Sequence, residues 1–294
     1  MVSAGHMGAG LGWALREGGA RVVSTVDGRS ARTARLAKAA GLELLPTLRD
    51  VVAASDAVLL VTPPGEALAA ARSVTEAARA TGSHPLIVEL NAVSPATMHA
   101  IAEAIAPLEV VDGSISGPPP TVRPGVNIYL SGARAAEVAA LPWGNRANAS
   151  VIGAAIGAAS AVKMCTASVY KGLIGLFTQA MRVAAWHGVL DEVLADLRQS
   201  GIDHTDGVAA GATKAHRYVA EMHEISVTQR NAGLTPALFE AYAKVFGDIA
   251  ETELARGDPE SISPKITPAE VVAGLARRAS SEQGDIEKPA GQLG

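Results

Sequence analysis

The 294-residue sequence has a single cysteine, Cys165, three tryptophans, four tyrosines and three phenylalanines. One cysteine cannot build a disulfide framework, so a reducing, cytoplasmic setting is expected. There is no excess of positive charge either: the net charge is −4 and the pI near 6.0. Without a basic field, nucleic acid and anionic membrane surfaces are not expected partners. Mean hydropathy is high at +0.21, yet the apolar run Val151 to Val162 ends at Lys163. It is shorter than the roughly 20 residues a membrane span needs, and reads as part of a buried helix. No basic segment followed by an apolar one marks a secretory leader at the N-terminus. The seven histidines show no H-E-x-x-H or close Cys/His spacing, so no metal site is expected.

What is present is aliphatic: 48% of residues are hydrophobic and 30 are glycine, while only 18% are charged. Disorder is thereby excluded, and at roughly 100–200 residues per domain the length favours two domains. In the first half, short apolar runs (Arg21 to Val26, Ala57 to Val61, Leu86 to Leu90, Leu108 to Asp112, Val126 to Leu130) alternate with stretches of helical period (Gly10 to Glu17, Ser30 to Ala40, Gly65 to Ala80, Pro95 to Ile105). That alternation predicts an α/β domain with a parallel sheet covered on both faces. From Val151 onward only helical spacing is evident: Ile152 to Trp186, Leu190 to Gln199, Val208 to Asn231, Pro236 to Ala255 and Pro268 to Ser280, with Gly201, Gly233, Gly257 and Pro259 as stops. The expected organisation is 1–148 α/β, 149–280 all-α, and a loose polar tail over 281–294.

The segment Ser3-Ala4-Gly5-His6-Met7-Gly8 fits the dinucleotide fingerprint G-x-G-x-x-G with Ser in place of the first Gly. Gly5 lets the backbone approach a pyrophosphate, Gly8 lets the next helix sit close, and His6 and Met7 fill the turn between them. Only Met1 and Val2 precede the motif, where a buried strand of about five residues is usual. The reading is a first strand cut short, with the natural chain starting further upstream. At the end of the second strand stand Asp27-Gly28-Arg29-Ser30. Asp27 suits the ribose hydroxyl of NAD; Arg29 and Ser30 suit the 2′-phosphate of NADP, although Ser30 also reads as a helix cap. NADP is the expected cofactor, with NAD the alternative.

Four further signals follow in order. Thr62-Pro63-Pro64 closes one strand with a stiff loop where ligands lie in such sheets, and Asn91 stands at the end of the next. Ser116-Gly117-Pro118 ends a third, and Gly157 and Lys163 lie on the helix that opens the second half. Together these motifs resemble the β-hydroxyacid dehydrogenase family, which includes 3-hydroxyisobutyrate and 6-phosphogluconate dehydrogenases. The resemblance runs from Ser3 to about Leu190, with Ser3 and Gly12 as departures in the first motif. Beyond it, His216-Arg217-Tyr218 and Glu221 to Glu224 resemble a branch whose C-terminal domain has no assigned function. The resemblance implies a Rossmann domain followed by a helical domain, a small-molecule substrate, and a homodimer whose helical domains interlock.

It also implies site residues. Lys163 falls at the family's catalytic lysine, and Ser116-Gly117-Pro118 at its substrate-binding S-G-G. Independently, alcohol oxidation needs a base, and a lysine behind an apolar run has its pKa lowered; the plainer reading is a lysine reaching out of a buried helix. Ser116 and the Gly117 amide would hold a substrate oxyanion, or form an ordinary loop. Where the family has Asn one turn after its lysine, this chain has Ala167. Tyr170, two turns on, is the candidate second proton donor or substrate contact, with a core position as the alternative; Lys171 adds positive charge. Glu221, Glu224 and Arg217 read as either a solvated face or a pocket wall. The function expected is an NADP-dependent exchange of alcohol and carbonyl on a small, acid-bearing, 3-hydroxyacid-like substrate. The alternatives are an NADPH-dependent imine or ketone reductase and a non-catalytic NADP(H) sensor, the last suggested by Ala167.

Overall fold

The computed structural model describes residues 1–258, 263 and 265–276. Pro259, the 277–280 end of the last expected helix and the tail over 281–294 lie outside them. The chain forms two compact units, Met1–Gly172 with Arg217–Ala243, and Leu173–His216 with Lys244 onward.

The first unit holds seven strands and most of the helices. In chain order they are α1 (His6–Glu17), β1 (Val23–Ser24), α2 (Ala31–Ala39), β2 (Glu43–Leu44), α3 (Leu48–Ala53), β3 (Ala57–Leu60), α4 (Ala67–Thr81), β4 (Leu86–Glu89), α5 (Pro95–Ile105), β5 (Val110–Ser116), β6 (Val126–Ser131), α6 (Ala135–Ala139) and β7 (Ala147–Gly153). The first part of α7 (Ala158–Trp186) follows, and α10 (Ala215–Asn231) returns to the same unit.

Strands β3 to β7 form one sheet in sequential order, while β1 and β2 pair separately. Met1 and Val2 join the two pieces. Val2 N donates to Leu59 O (2.9 Å), and Val61 N donates to Val2 O (3.2 Å). On the other side Met1 N donates to Val23 O (2.8 Å) and Ser24 Oγ donates to Met1 O (2.9 Å). A cleft of about 350 Å³ lined by Met1, Val22, Val23, Asp56 and Ala57, among others, lies at the strand-start end of this slot.

Both sheet faces are buried, which is why the strands read as unbroken apolar runs. Leu59, Val88, Leu90 and Val111 pack with Leu11 and Leu15 of α1 on one face. Val58, Leu60, Ile87 and Val110 pack with Val74 of α4 and Met98, Ile101 and Ile105 of α5 on the other. The sheet is not wholly parallel, contrary to the sequence expectation: β5 and β6 are antiparallel. Nine residues separate them, too few for the crossover of about a dozen that a parallel pair requires.

The expected onset of helix at Ile152 is also corrected, because β7 runs to Gly153 and α7 opens at Ala158. Strand β7 is an exposed edge with Asn148 and Ser150 in it, so it lacks the apolar run of the inner strands. Gly157, at φ 99°, turns the chain into α7.

The second unit is helical. It contains the later part of α7, α8 (Leu190–Gln199), α9 (Thr205–Ala212), the end of α11 (Ala237–Ala250) and α12 (Pro268–Gly274). The single helix expected over 208–231 is two, α9 and α10. Arg182 Nη1 pairs with Asp248 Oδ2 at 2.8 Å, and Phe177 meets His204 edge to face with ring centres 5.4 Å apart. Among the described residues no helix is long and apolar enough to cross a membrane.

Candidate active site

The site lies at the C-terminal ends of β3, β4 and β5, where the loops leave the sheet in one direction, next to the start of α1. Gly5 is the N-cap of α1, which has neither a side-chain cap nor an acidic residue in its first turn. Its N–H groups are therefore open to an anion. A methyl group at Gly5 would meet nothing closer than 4.0 Å, whereas one at Gly8 would fall on the Ser3 carbonyl oxygen. Ser3 itself takes φ 67°, the left-handed conformation that glycine supplies without strain. The turn thus keeps the backbone of the glycine it replaces. Gly28, at φ 64°, turns the chain after β1. Asp27, Arg29 and Ser30 are exposed there, and Ser30 Oγ caps α2 by accepting from Thr33 N at 3.2 Å. These features fit a dinucleotide, with phosphates at α1 and ribose at the β1 turn.

Thr62 and Asn91, from neighbouring strand ends, are locked together. Asn91 Oδ1 accepts from Thr62 N (2.6 Å), and Asn91 Nδ2 donates to Thr62 Oγ1 (3.0 Å). Pro63 is exposed and Pro64 buried beside them. The loop after Ser116-Gly117-Pro118 reaches α1, since a methyl at Gly10 would lie 3.0 Å from Pro119 and 3.1 Å from Pro120. The cofactor turn and the 116–120 loop are therefore side by side.

Lys163 enters from α7. Its Nζ donates to Ile115 O at 2.7 Å, which places the amine next to Ser116. Burial pushes its pKa down to about 8, because desolvation disfavours the ammonium form and the partner is a neutral carbonyl. The position of α7 is fixed by Asp112 of β5. Asp112 accepts from Ser131 Oγ (2.9 Å), Gly157 N (2.8 Å), Ser160 N (3.1 Å) and Ser160 Oγ (2.7 Å). A carboxylate at a helix N-terminus satisfies otherwise orphaned N–H groups. Sequence reasoning gave Asp112 no role, although an acid inside a buried strand was a visible signal.

Farther along α7, Lys171 forms an ion pair with Glu221 of α10, with side-chain exposures of 12% and 11%. Its Nζ also lies 4.7 Å from the Tyr218 ring centre. Glu224, one turn on, accepts from Ser94 N (2.7 Å) and Thr97 Oγ1 (2.8 Å) at the start of α5. Glu221 and Glu224 are thus both engaged within the unit, not on a solvated face. Arg217 is exposed, and Tyr170, two turns along α7 from Lys163, is 66% exposed in the single chain. Among the described residues no cluster of His, Cys, Asp and Glu gathers as metal ligands.

Residues 1–143 match the family model of the NAD-binding domain of 6-phosphogluconate dehydrogenase. Residues 184–249 match DUF1932, a domain of unknown function. The two matches place a 6-phosphogluconate dehydrogenase-type NAD-binding domain ahead of a DUF1932 domain in one chain. The chain is 27% identical over 235 residues, 78% of its length and 90% of the relative's, to an uncharacterized 28.5 kDa protein of Methanothermus fervidus. Among solved structures it is similar to conserved protein MTH1747, of unknown function and described as structurally similar to 3-hydroxyacid dehydrogenases. That match has 26% identity, 85% and 95% coverage, and a TM-score of 0.59. It shares its fold with a 3-hydroxyisobutyrate dehydrogenase of Mycobacterium tuberculosis at 18% identity, 88% and 95% coverage, and a TM-score of 0.63.

Proposed function

We propose that the chain is a member of the β-hydroxyacid dehydrogenase family that uses NADP to interconvert an alcohol and a carbonyl on a small, acid-bearing, 3-hydroxyacid-like substrate, with Lys163 moving the proton. The observation that carries the reading is the Lys163 amine, buried, lowered to about 8 and held 2.7 Å from Ile115 O beside Ser116. The nicotinamide supplies the hydride acceptor or donor when bound. In oxidation, the neutral Lys163 amine takes the hydroxyl proton as hydride leaves the same carbinol carbon; in reduction, the ammonium returns it. Ser116 Oγ and Gly117 N–H hold the substrate oxyanion, with Pro118 stiffening the loop. Tyr170, two turns beyond Lys163, is assigned the second proton-donating position. Arg29 and Ser30 favour the 2′-phosphate, and Asp27 supplies the NAD alternative.

One feature supports a homodimer with interlocked helical domains. Val169, Leu176 and Val183 recur every seven residues along α7, and together with Trp186 they are more than half exposed in the single chain. An exposed apolar strip of that kind marks an interaction surface, which a second helix carrying the same repeat can cover. The single cysteine agrees with a cytoplasmic location.

Imine reductases share the fold, so reduction of an imine or ketone is the enzymatic alternative. The retained lysine favours the hydroxyacid. Ala167 in the asparagine position favours a sensor without turnover. Fluorescence titration with NADPH and NADH, followed by absorbance screens of 3-hydroxyacids with NADP⁺ and of imines with NADPH, separates the three. Tighter NADPH binding with turnover of a 3-hydroxyacid is expected. Turnover of imines alone supports the reductase, and binding without any turnover supports the sensor.

A further inference from the structure

Glu89 closes β4 and is completely buried, at 0% exposure. The register sets it beside Leu60 of β3 and Asp112 of β5, so the two carboxyl groups stand on adjacent strands and the same sheet face. Asp112 takes four hydrogen bonds. Glu89 Oε1 takes one, from Asn91 N at 2.7 Å, and Glu89 Oε2 is buried with no partner. The rest of this face is apolar: Met98, Ile101 and Ile105 of α5, and Ala67, Ala71 and Val74 of α4. Gly157 and Ser160 reach Asp112 from the start of α7, with His99 of α5 beside Gly157. A second carboxylate would therefore face Asp112 with one donor to serve it. Burial, with Asp112 adding to it, raises the Glu89 pKa to about 8 against the Asn91 hydrogen bonds.

We propose that Glu89 is a positioning residue of the cofactor site that works in its protonated form, its carbonyl oxygen fixing the Asn91 backbone so that the Asn91 side chain holds Thr62. The chain of contacts runs from Glu89 Oε1 to Asn91 N, and from the Asn91 amide to both Thr62 N and Thr62 Oγ1. It links the ends of β3 and β4 at the sheet edge where ligands lie in such folds, and so rests on the cofactor reading above. Ionisation puts an uncompensated charge beneath this link. Ionisation strengthens the Asn91 bond taken alone, but it also sets the Glu89 charge against the Asp112 carboxylate on the next strand, and the repulsion that moves Glu89 away from Asp112 takes it from Asn91 and loosens Thr62.

The test is NADPH affinity by fluorescence from pH 6 to 9.5 in the wild-type chain, Glu89→Gln, Glu89→Leu and Lys163→Met. Wild-type affinity is expected to fall about fivefold as pH rises through about 8, the effect of one lost hydrogen bond. Glu89→Gln keeps the acceptor without the charge, so it binds as wild type at pH 7 and stays level above it. Glu89→Leu binds about fivefold more weakly at every pH. Lys163→Met keeps the wild-type pH dependence, which separates Glu89 from the other group titrating in that range. The inference is overturned if Glu89→Gln retains the dependence, if Lys163→Met abolishes it, or if Glu89→Leu binds like wild type. It is also overturned if Glu89→Gln changes only the thermal stability profile, the sign of a purely structural acid. Should Glu89→Leu fail to fold, the Glu89→Gln profile decides alone. A wild-type chain that binds neither NADPH nor NADH overturns the cofactor reading together with this one.

Discussion

Two stretches of α7 carry a lysine each, eight residues apart, and their surroundings differ in the one respect that matters to proton transfer. Near the start of the helix, Lys163 is buried against a neutral carbonyl and its pKa falls to about 8. Two turns later, Lys171 is buried against the Glu221 carboxylate and the face of Tyr218. A neutral partner leaves desolvation unopposed and makes an amine that exchanges its proton near neutrality. A carboxylate partner holds the charge in place. The same residue type on the same helix therefore offers an amine suited to proton transfer at one point and a strut at the other. The strut comes from α10, so the domain without an assigned function contributes directly to the unit that contains the candidate site.

The largest effect that would separate the two lysines is on turnover. Lys163→Ala should lower kcat/KM by about 10²- to 10⁴-fold, the usual contribution of a general acid or base, with NADPH affinity nearly unchanged in the same preparation. At Lys171 the damage should be to stability. Glu221→Leu leaves a buried ammonium unpaired and should cost about 3–5 kcal/mol in urea unfolding, and adding Lys171→Met should recover most of the loss. A Glu221→Leu chain as stable as wild type would remove the contrast.

The pH dependence sharpens the same comparison. With Lys163 at about 8, kcat/KM for oxidation should rise as pH increases through 8, and for reduction should fall. Its folded pKa lies below the unfolded value of 10.5, so its stability contribution is complete above 10.5 and is lost as pH falls through 8. Lys163→Met should accordingly stabilise the chain at pH 7, by about 3 kcal/mol, and the advantage should vanish near pH 10.5. The smallest expected effect is that of Tyr170→Phe. Its hydroxyl is on a side chain 66% exposed in the single chain, where water can substitute, and the loss in turnover should be under about tenfold.

Much of this was legible in the sequence because burial on both faces writes itself as composition. Ala57 to Leu60 and Leu86 to Glu89 are strands packed on two sides, and their length of four residues between helices fits a strand better than a buried helix. The tight turn into α1 was legible from the spacing of Gly5 and Gly8. The edge strand β7 was not, because its exposed positions carry Asn148, Ser150 and Val151 without a pattern. Helix α3 was missed, although Thr47 and Asp50 form a capping box that announces it.

At the site, Lys163 stood out as a charge following an apolar run. The partner of Lys171 did not, because Glu221 is fifty residues away and only the fold brings the two together. Glu89 and Asp112 were visible as acids in strands, but their coupling depends on a register that spacing alone does not determine.

The proton-transfer role of Lys163 is tested most directly by following NADPH absorbance with a panel of small 3-hydroxyacids and NADP⁺, comparing wild type and Lys163→Ala at pH 8.5. The account predicts turnover of at least one 3-hydroxyacid by the wild-type chain and a loss of about a hundredfold or more in the variant. Equal turnover in the two chains would contradict it.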